Sequence, residues 1–248
     1  MIKIKSLHEV EKMRAAGRIV AEVFEVIRPH IVPGITTIEL DKIAAEHIKK
    51  SGATCSFYNY SGYPGHVCIS INDEVIHGIP GKRTLSDGDI VSVDVGACID
   101  GYHGDAARTF AVGEISHQAK KLIEVTEESF WRGVEYAKPG MRIGDISANI
   151  QKVVEDNGFS VVRDFVGHGI GGALHEEPEV PNFGTEGRGP RLISGMTIAV
   201  EPMVNIGTYQ VNTLSDDWTV VTADGKLSAH YENTILITGN GAEVLTKC

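Results

Sequence analysis

The chain has 248 residues, a formal net charge of −10, 42% hydrophobic and 23% charged residues, and four cysteines. That length allows a packed core in one large domain or two small ones, and an acidic balance without a Lys/Arg stripe argues against a nucleic-acid surface. There is no CxxC pair, no apolar signal segment and no run near the roughly 18 apolar residues of a membrane span, so the expectation is a cytoplasmic monomer with no membrane contact, whose Cys55, Cys68, Cys98 and Cys248 are free thiols.

Ser6 and Glu9 have the spacing of a capping box, in which each side chain serves an otherwise unpaired backbone N–H at a helix start. Val10, Met13, Gly17, Val20, Phe24 and Ile27 then recur every three or four residues, which predicts an amphipathic helix ending before Pro33-Gly34. A second helix is predicted over 37–50, closing at Ser51-Gly52. A strand over 90–96 alternates: Val91, Val93 and Val95 point one way, Ser92, Asp94 and Gly96 the other. Asp100-Gly101 signals a two-residue hairpin turn. With that turn, Ile99 pairs with Tyr102, Gly96 with Asp105 and Asp94 with Ala107, which places Asp94 and Asp105 diagonally on one sheet face. Further on, a helix is predicted over 116–138, and strands over 197–200 and 234–237.

The second part of the chain repeats the first. Pro139-Gly140 answers Pro33-Gly34, and at the same offset Ile146 answers Leu40, Val154 answers Ile48 and Gly158 answers Gly52. One residue further out of step, the segment ending at Glu201 answers the one ending at Asp94. The period is far longer than that of a solenoid. The expectation is one pseudo-symmetric α/β (α+β) domain over 1–248, with halves of about 1–113 and 114–248 and a site between them.

Two carboxylates on one sheet face repel unless a cation neutralises them. Glu201 closes an apolar strand just before Pro202, and Glu232 precedes another, neither a comfortable place for a core acid. Between the strands of the first half and these lie His168 and His175 in a Gly-rich stretch. Four carboxylates and an imidazole exceed what one structural zinc needs; they suit two divalent ions sharing bridging carboxylates. The oxygen-rich set favours manganese, iron or cobalt, with zinc and nickel as further options. HExxH, GxSxG and P-loop motifs are all missing from the sequence.

His77-Gly78-Ile79-Pro80, Asp94, His103-Gly104-Asp105, Gly167-His168-Gly169, His175-Glu176-Glu177-Pro178, Glu201-Pro202-Met203 and Glu232 together resemble the type I methionine aminopeptidases of the bacterial form, in peptidase family M24. The resemblance runs from the first helix to the last strand. It implies the pita-bread fold, a curved, mainly antiparallel sheet covered by helices with pseudo-two-fold symmetry. It implies an enzyme that removes the N-terminal methionine of nascent proteins and peptides, prefers a small second residue, and works through a hydroxide bridging two metals. Asp94, Asp105, His168, Glu201 and Glu232 would be the metal ligands, with Glu201 also shuttling the proton. His77 would meet the substrate near the scissile nitrogen, and His175 would hydrogen-bond the scissile carbonyl. The methionine pocket would draw on Tyr60, Tyr63, Cys68, Trp218, Phe57 and Leu174. A monovalent cation near Asn72 and Ser228 and contact with the ribosome are implied more weakly.

The sequence departs from that family at four places. His230 stands where Gln is common, Leu174 where an aromatic is, Phe57 where some relatives have a smaller residue, and Gly96 where Thr is frequent. The competing readings are a pita-bread peptidase that cleaves before proline, and a metal-free relative that only binds peptides.

Overall fold

The computed structural model describes residues 1–247; the free-thiol expectation for Cys248 lies outside the described residues. Cys55, Cys68 and Cys98 are unbridged.

Helix α1 spans Leu7–Ile27 and opens with the expected box: Ser6 Oγ accepts from Glu9 N–H, and Glu9 accepts from Ser6 N–H at 2.7 Å. Its predicted apolar stripe is buried in full. Helix α2 is Thr37–Lys50, and the Glu39 carboxylate reaches back to accept from the Thr36 N–H at 2.9 Å and from the Thr36 hydroxyl. Strands β1 (Thr54–Cys55), β2 (Cys68–Ile71) and β3 (Glu74–Ile76) lead to the long hairpin of β4 (Ile90–Ile99) and β5 (Tyr102–Ala111). The turn residues Asp100 and Gly101 both have positive φ, as a tight hairpin requires. The register is the predicted one: Ile99 opposite Tyr102, Gly96 opposite Asp105, Asp94 opposite Ala107. Val91, Val93 and Val95 face α1 and α2, packing with Val20, Phe24, Leu40 and Ile48. Gly17 of α1 lies against Gly104 of β5; a Cβ on Gly104 would come within 2.8 Å of the Gly17 nitrogen, so this crossing needs a glycine.

Helices α3 (His117–Val134) and α4 (Ile143–Asp156) follow. Helix α3 stops four residues before the predicted Lys138. Residues 135–138 instead form tight turns, with Tyr136 N–H donating to Gly133 O and Lys138 N–H to Tyr136 O. The approach of Pro139, which disfavours a helical residue before it, accounts for the early end. The remaining strands are β6 (Ser160–Val161), β7 (Gly167–Gly169), β8 (Glu176–Val180), β9 (Thr197–Val200), β10 (Met203–Asn205), β11 (Val211–Thr213), β12 (Val220–Thr222), β13 (Ser228–His230), β14 (Asn233–Ile237) and β15 (Ala242–Val244).

All strand pairs are antiparallel. One sheet has β1, β4 and β2 with β5 on β4; another runs β15-β14-β9-β7-β8. They meet where Ala107 and Glu232 exchange backbone hydrogen bonds of 3.0 and 3.3 Å. The repeat is visible in the backbone too. Gly34 and Gly140, Gly52 and Gly158, and Gly88 and Gly195 all have positive φ, and the isolated bridge Thr36–Thr84 is answered by Arg142–Arg191. Among the described residues no helix is long and apolar enough to cross a membrane.

Candidate active site

The seam between the two sheets carries the acids. Asp94 sits mid-strand in β4, between Cys68 of β2 and Ala107 of β5. Asp105 faces Gly96 and is tied across the seam: its N–H donates to Thr234 Oγ1 at 3.0 Å, and Thr234 Oγ1 donates to the Asp105 carbonyl at 2.9 Å. Glu232 enters β14 from the other side, and Glu201 leaves β9, the neighbour of β14. His168 belongs to β7, which pairs with β9. Five residues far apart in sequence therefore line one cavity.

The spacing inside the cluster is distinctive. His168 Nε2 lies 3.7 Å from Glu201 Oε1 and 4.0 Å from Asp105 Oδ2. Those separations exceed a hydrogen bond but suit donors that each approach a common ion to about 2.1 Å. Asp94 Oδ1, Asp105 Oδ1 and Glu232 Oε1 are buried oxygens with no hydrogen-bond partner. Such atoms are costly unless a cation meets them. His168 Nδ1–H donates to Gly169 O at 2.9 Å, which leaves the Nε2 lone pair to face the acids. The donor set thus fits divalent metal.

Electrostatics point the same way. Burial, relieved in part by its hydrogen bond with Asp105, pushes the Asp94 carboxyl up to about 7. Burial, then the neighbouring carboxylates, drive Asp105, Glu201 and Glu232 well above the ordinary range. Burial first, and His175 second, push His168 and His77 down to about 4. His230 is pushed to about 3, by burial first and then by His77 and Arg108. The imidazoles are held neutral, the form a metal ligand needs, while burial and mutual repulsion oppose ionisation of the acids, a cost that a bound cation would offset.

The rest of the cavity is apolar and aromatic. Phe57, Tyr60, Tyr63, Cys68, Leu174 and Trp218 line it with His77 and His175. Tyr63 turns its hydroxyl away, donating to Gly78 O at 2.8 Å, and stacks edge-on with Trp218 at 5.0 Å. Burial raises the Cys68 thiol far above its usual range, so it lines the cavity as an uncharged thiol. His77 is held at φ 60°, an unusual conformation for a non-glycine, between the rings of Phe165 and Trp218. His175 Nδ1 is 2.7 Å from Tyr60 Oη.

Asn72 and Ser228 lie apart from this cavity. Ser228 N–H donates to Asn72 O at 2.8 Å, while the Asn72 amide is engaged by Asp89 and Ile90 N–H. Sequence reasoning missed Ser61, Ile76, Phe165 and Val166 in the lining. None carries a motif; only the loop geometry brings them in. It also named His230 only as a departure, whereas its Nε2 stands 3.8 Å from Glu232 Oε2, inside the acid cluster.

The model of metallopeptidase family M24 matches residues 11–239. The chain belongs to that family. Within M24, it is 60% identical over 246 residues to a methionine aminopeptidase of Clostridium perfringens, covering 99% of each chain. It superposes on the methionine aminopeptidase of Thermotoga maritima with a TM-score of 0.99 and 49% identity, over the full length of both. A prolidase of Pyrococcus furiosus shares the fold at a TM-score of 0.81 and 25% identity, and the M24 chain covers 65% of that protein. The architecture is the pita-bread fold, and a divalent metal is part of this family's chemistry.

Proposed function

We infer that this M24 metallopeptidase removes the N-terminal methionine from peptides and nascent proteins, preferring a small second residue. The observation that carries the reading is the cluster of buried Asp105, Glu201 and Glu232, half-buried Asp94 and His168 at the end of an apolar, aromatic cavity. Residues 1–248 act as one catalytic unit in the cytoplasm, as a monomer, with nascent chains at the ribosome among its substrates.

Asp94, Asp105, His168, Glu201 and Glu232 hold two divalent ions, manganese, iron or cobalt suiting the oxygen-rich set best. When bound, the ions supply Lewis acidity and lower the pKa of water at the site. The chain's own residues do the rest. Tyr63, Cys68 and Trp218 enclose the methionine side chain, with Phe57 and Leu174 completing the wall and excluding water. Tyr60 O–H donates to His175 Nδ1, which puts the ring proton on Nε2 for donation to the scissile carbonyl oxygen. His77, fixed by its aromatic neighbours, positions the scissile nitrogen. Glu201 takes a proton from the attacking water and returns it to the leaving amine. Cleavage of Met-Ala-Ser with Ala-Pro-Ala left intact is the expected result; the reverse preference would overturn the methionine reading.

A further inference from the structure

We propose that His230 Nε2 is an additional nitrogen ligand to the divalent ion held by Asp94 and Glu232. The proposal rests on the two-metal reading above and deepens it.

His230 closes β13, where its backbone is pinned from both sides. Its N–H donates to Thr109 Oγ1 at 2.9 Å, and Thr109 Oγ1 donates back to its carbonyl at 2.9 Å. It also pairs with Met203 of β10. The side chain is 2% exposed, and Nε2 is buried without a hydrogen-bond partner. A buried imidazole nitrogen without a partner is a costly feature, and a structural histidine ordinarily finds a donor or acceptor.

What Nε2 faces is informative. It lies 3.8 Å from Glu232 Oε2, and ligand atoms of Asp94, His230 and Glu232 all lie within 4.8 Å of one another. A distance of 3.8 Å is too long for a hydrogen bond but falls within the spread of two donors each about 2.1 Å from one ion. The separation repeats that of His168 Nε2 from Glu201 Oε1, 3.7 Å, on the opposite side of the cluster. Asp105, His168 and Glu232 form the matching group there. The structure therefore offers one imidazole to each end of the site. A second nitrogen shifts that end from a hard, all-oxygen set toward the softer preference of cobalt, nickel and zinc.

The test counts nitrogens rather than turnover. Protein carrying ¹⁵N-labelled histidine is loaded with Mn²⁺ and studied by pulsed EPR, alongside His230→Gln and His168→Ala. The expected result is two directly coordinated histidine nitrogens in the wild type at full loading, and one in each variant. Calorimetry should also show Co²⁺ affinity falling at least about tenfold in His230→Gln while Mn²⁺ affinity changes much less. A single coordinated nitrogen in the wild type, lost only in His168→Ala, overturns the proposal even if Co²⁺ affinity changes, since a residue that merely hydrogen-bonds a ligand does that. The wild-type count stands if either variant fails to fold. Two ions bound with one nitrogen sinks the His230 assignment alone; no bound ion sinks the metal reading as well.

Discussion

A Cβ placed on Gly96 would stand 2.7 Å from Cε1 of Phe57 and 2.8 Å from the Cβ of Ser56. Two departures from the family pattern are thus one feature: the Phe57 ring occupies the space that a side chain at position 96 would need. Gly96→Thr alone should overpack the cavity wall and cost about 1–3 kcal/mol in denaturant unfolding. In a Phe57→Cys background the ring clash is gone and only the Ser56 contact remains, so the same change should cost less. A double-mutant cycle that comes out additive would contradict the coupling.

Much of the site was legible because strands and tight turns follow local rules. Asp100-Gly101 fixed the hairpin register, and the register placed Asp105 beside Asp94. The Ser6–Glu9 capping box and the valine face were read from spacing alone. Other features depend on contacts between distant segments, which no local pattern encodes. The Phe57–Gly96 contact, the left-handed backbone of His77 and the inward turn of His230 are of that kind. The end of α3 at Val134 was missed because the approach to Pro139 outweighs a continuing apolar periodicity.

Glu201→Gln removes the proposed proton carrier while keeping the side-chain volume. Turnover of Met-Ala-Ser should fall by about 10²–10⁴-fold in kcat in protein that still folds and binds metal. Rapid kinetics with metal content measured on the same sample provides the check. A kcat like that of the wild type would assign the proton transfer elsewhere.

Tyr60→Phe deletes the hydroxyl that holds His175 Nδ1 at 2.7 Å. One hydrogen bond is worth about 1 kcal/mol, so kcat should drop roughly five- to tenfold. The loss should appear in kcat more than in KM, because the imidazole's donation strengthens as charge develops on the carbonyl oxygen. A purely KM effect would make Tyr60 a pocket wall only.

Metal binding should release protons. The ligands must be ionised to coordinate, yet Asp94 is held at about 7 and Asp105, Glu201 and Glu232 well above their ordinary range in the metal-free chain. Affinity should therefore rise with pH, and calorimetry in buffers of different ionisation enthalpy should count the displaced protons. Folding of the metal-free chain runs the other way. Carboxyls raised in the folded state bind more protons there than when unfolded, so their contribution is complete below the ordinary carboxylate range. It is lost as pH rises through about 7 for Asp94, and higher for the others. A pH-independent metal affinity would contradict this account.

Lys5 Nζ meets Glu176 Oε2 at 2.7 Å, with side chains only 3% and 4% exposed. This pair ties the N-terminal segment to the loop carrying His175. Lys5→Ala leaves a buried carboxylate with only the exposed Lys3 nearby, so about 3 kcal/mol of stability should be lost. A change below about 0.5 kcal/mol, the range of an ordinary surface substitution, would show that the pair is dispensable.

The most direct test of the central claim is peptide cleavage by protein stripped with chelator and then reloaded. Stripped protein should be inactive. Mn²⁺ or Co²⁺ should restore release of methionine from Met-Ala-Ser, with Ala-Pro-Ala left uncut. Full activity after exhaustive EDTA dialysis, or restored cleavage of Ala-Pro-Ala in preference to Met-Ala-Ser, would contradict it.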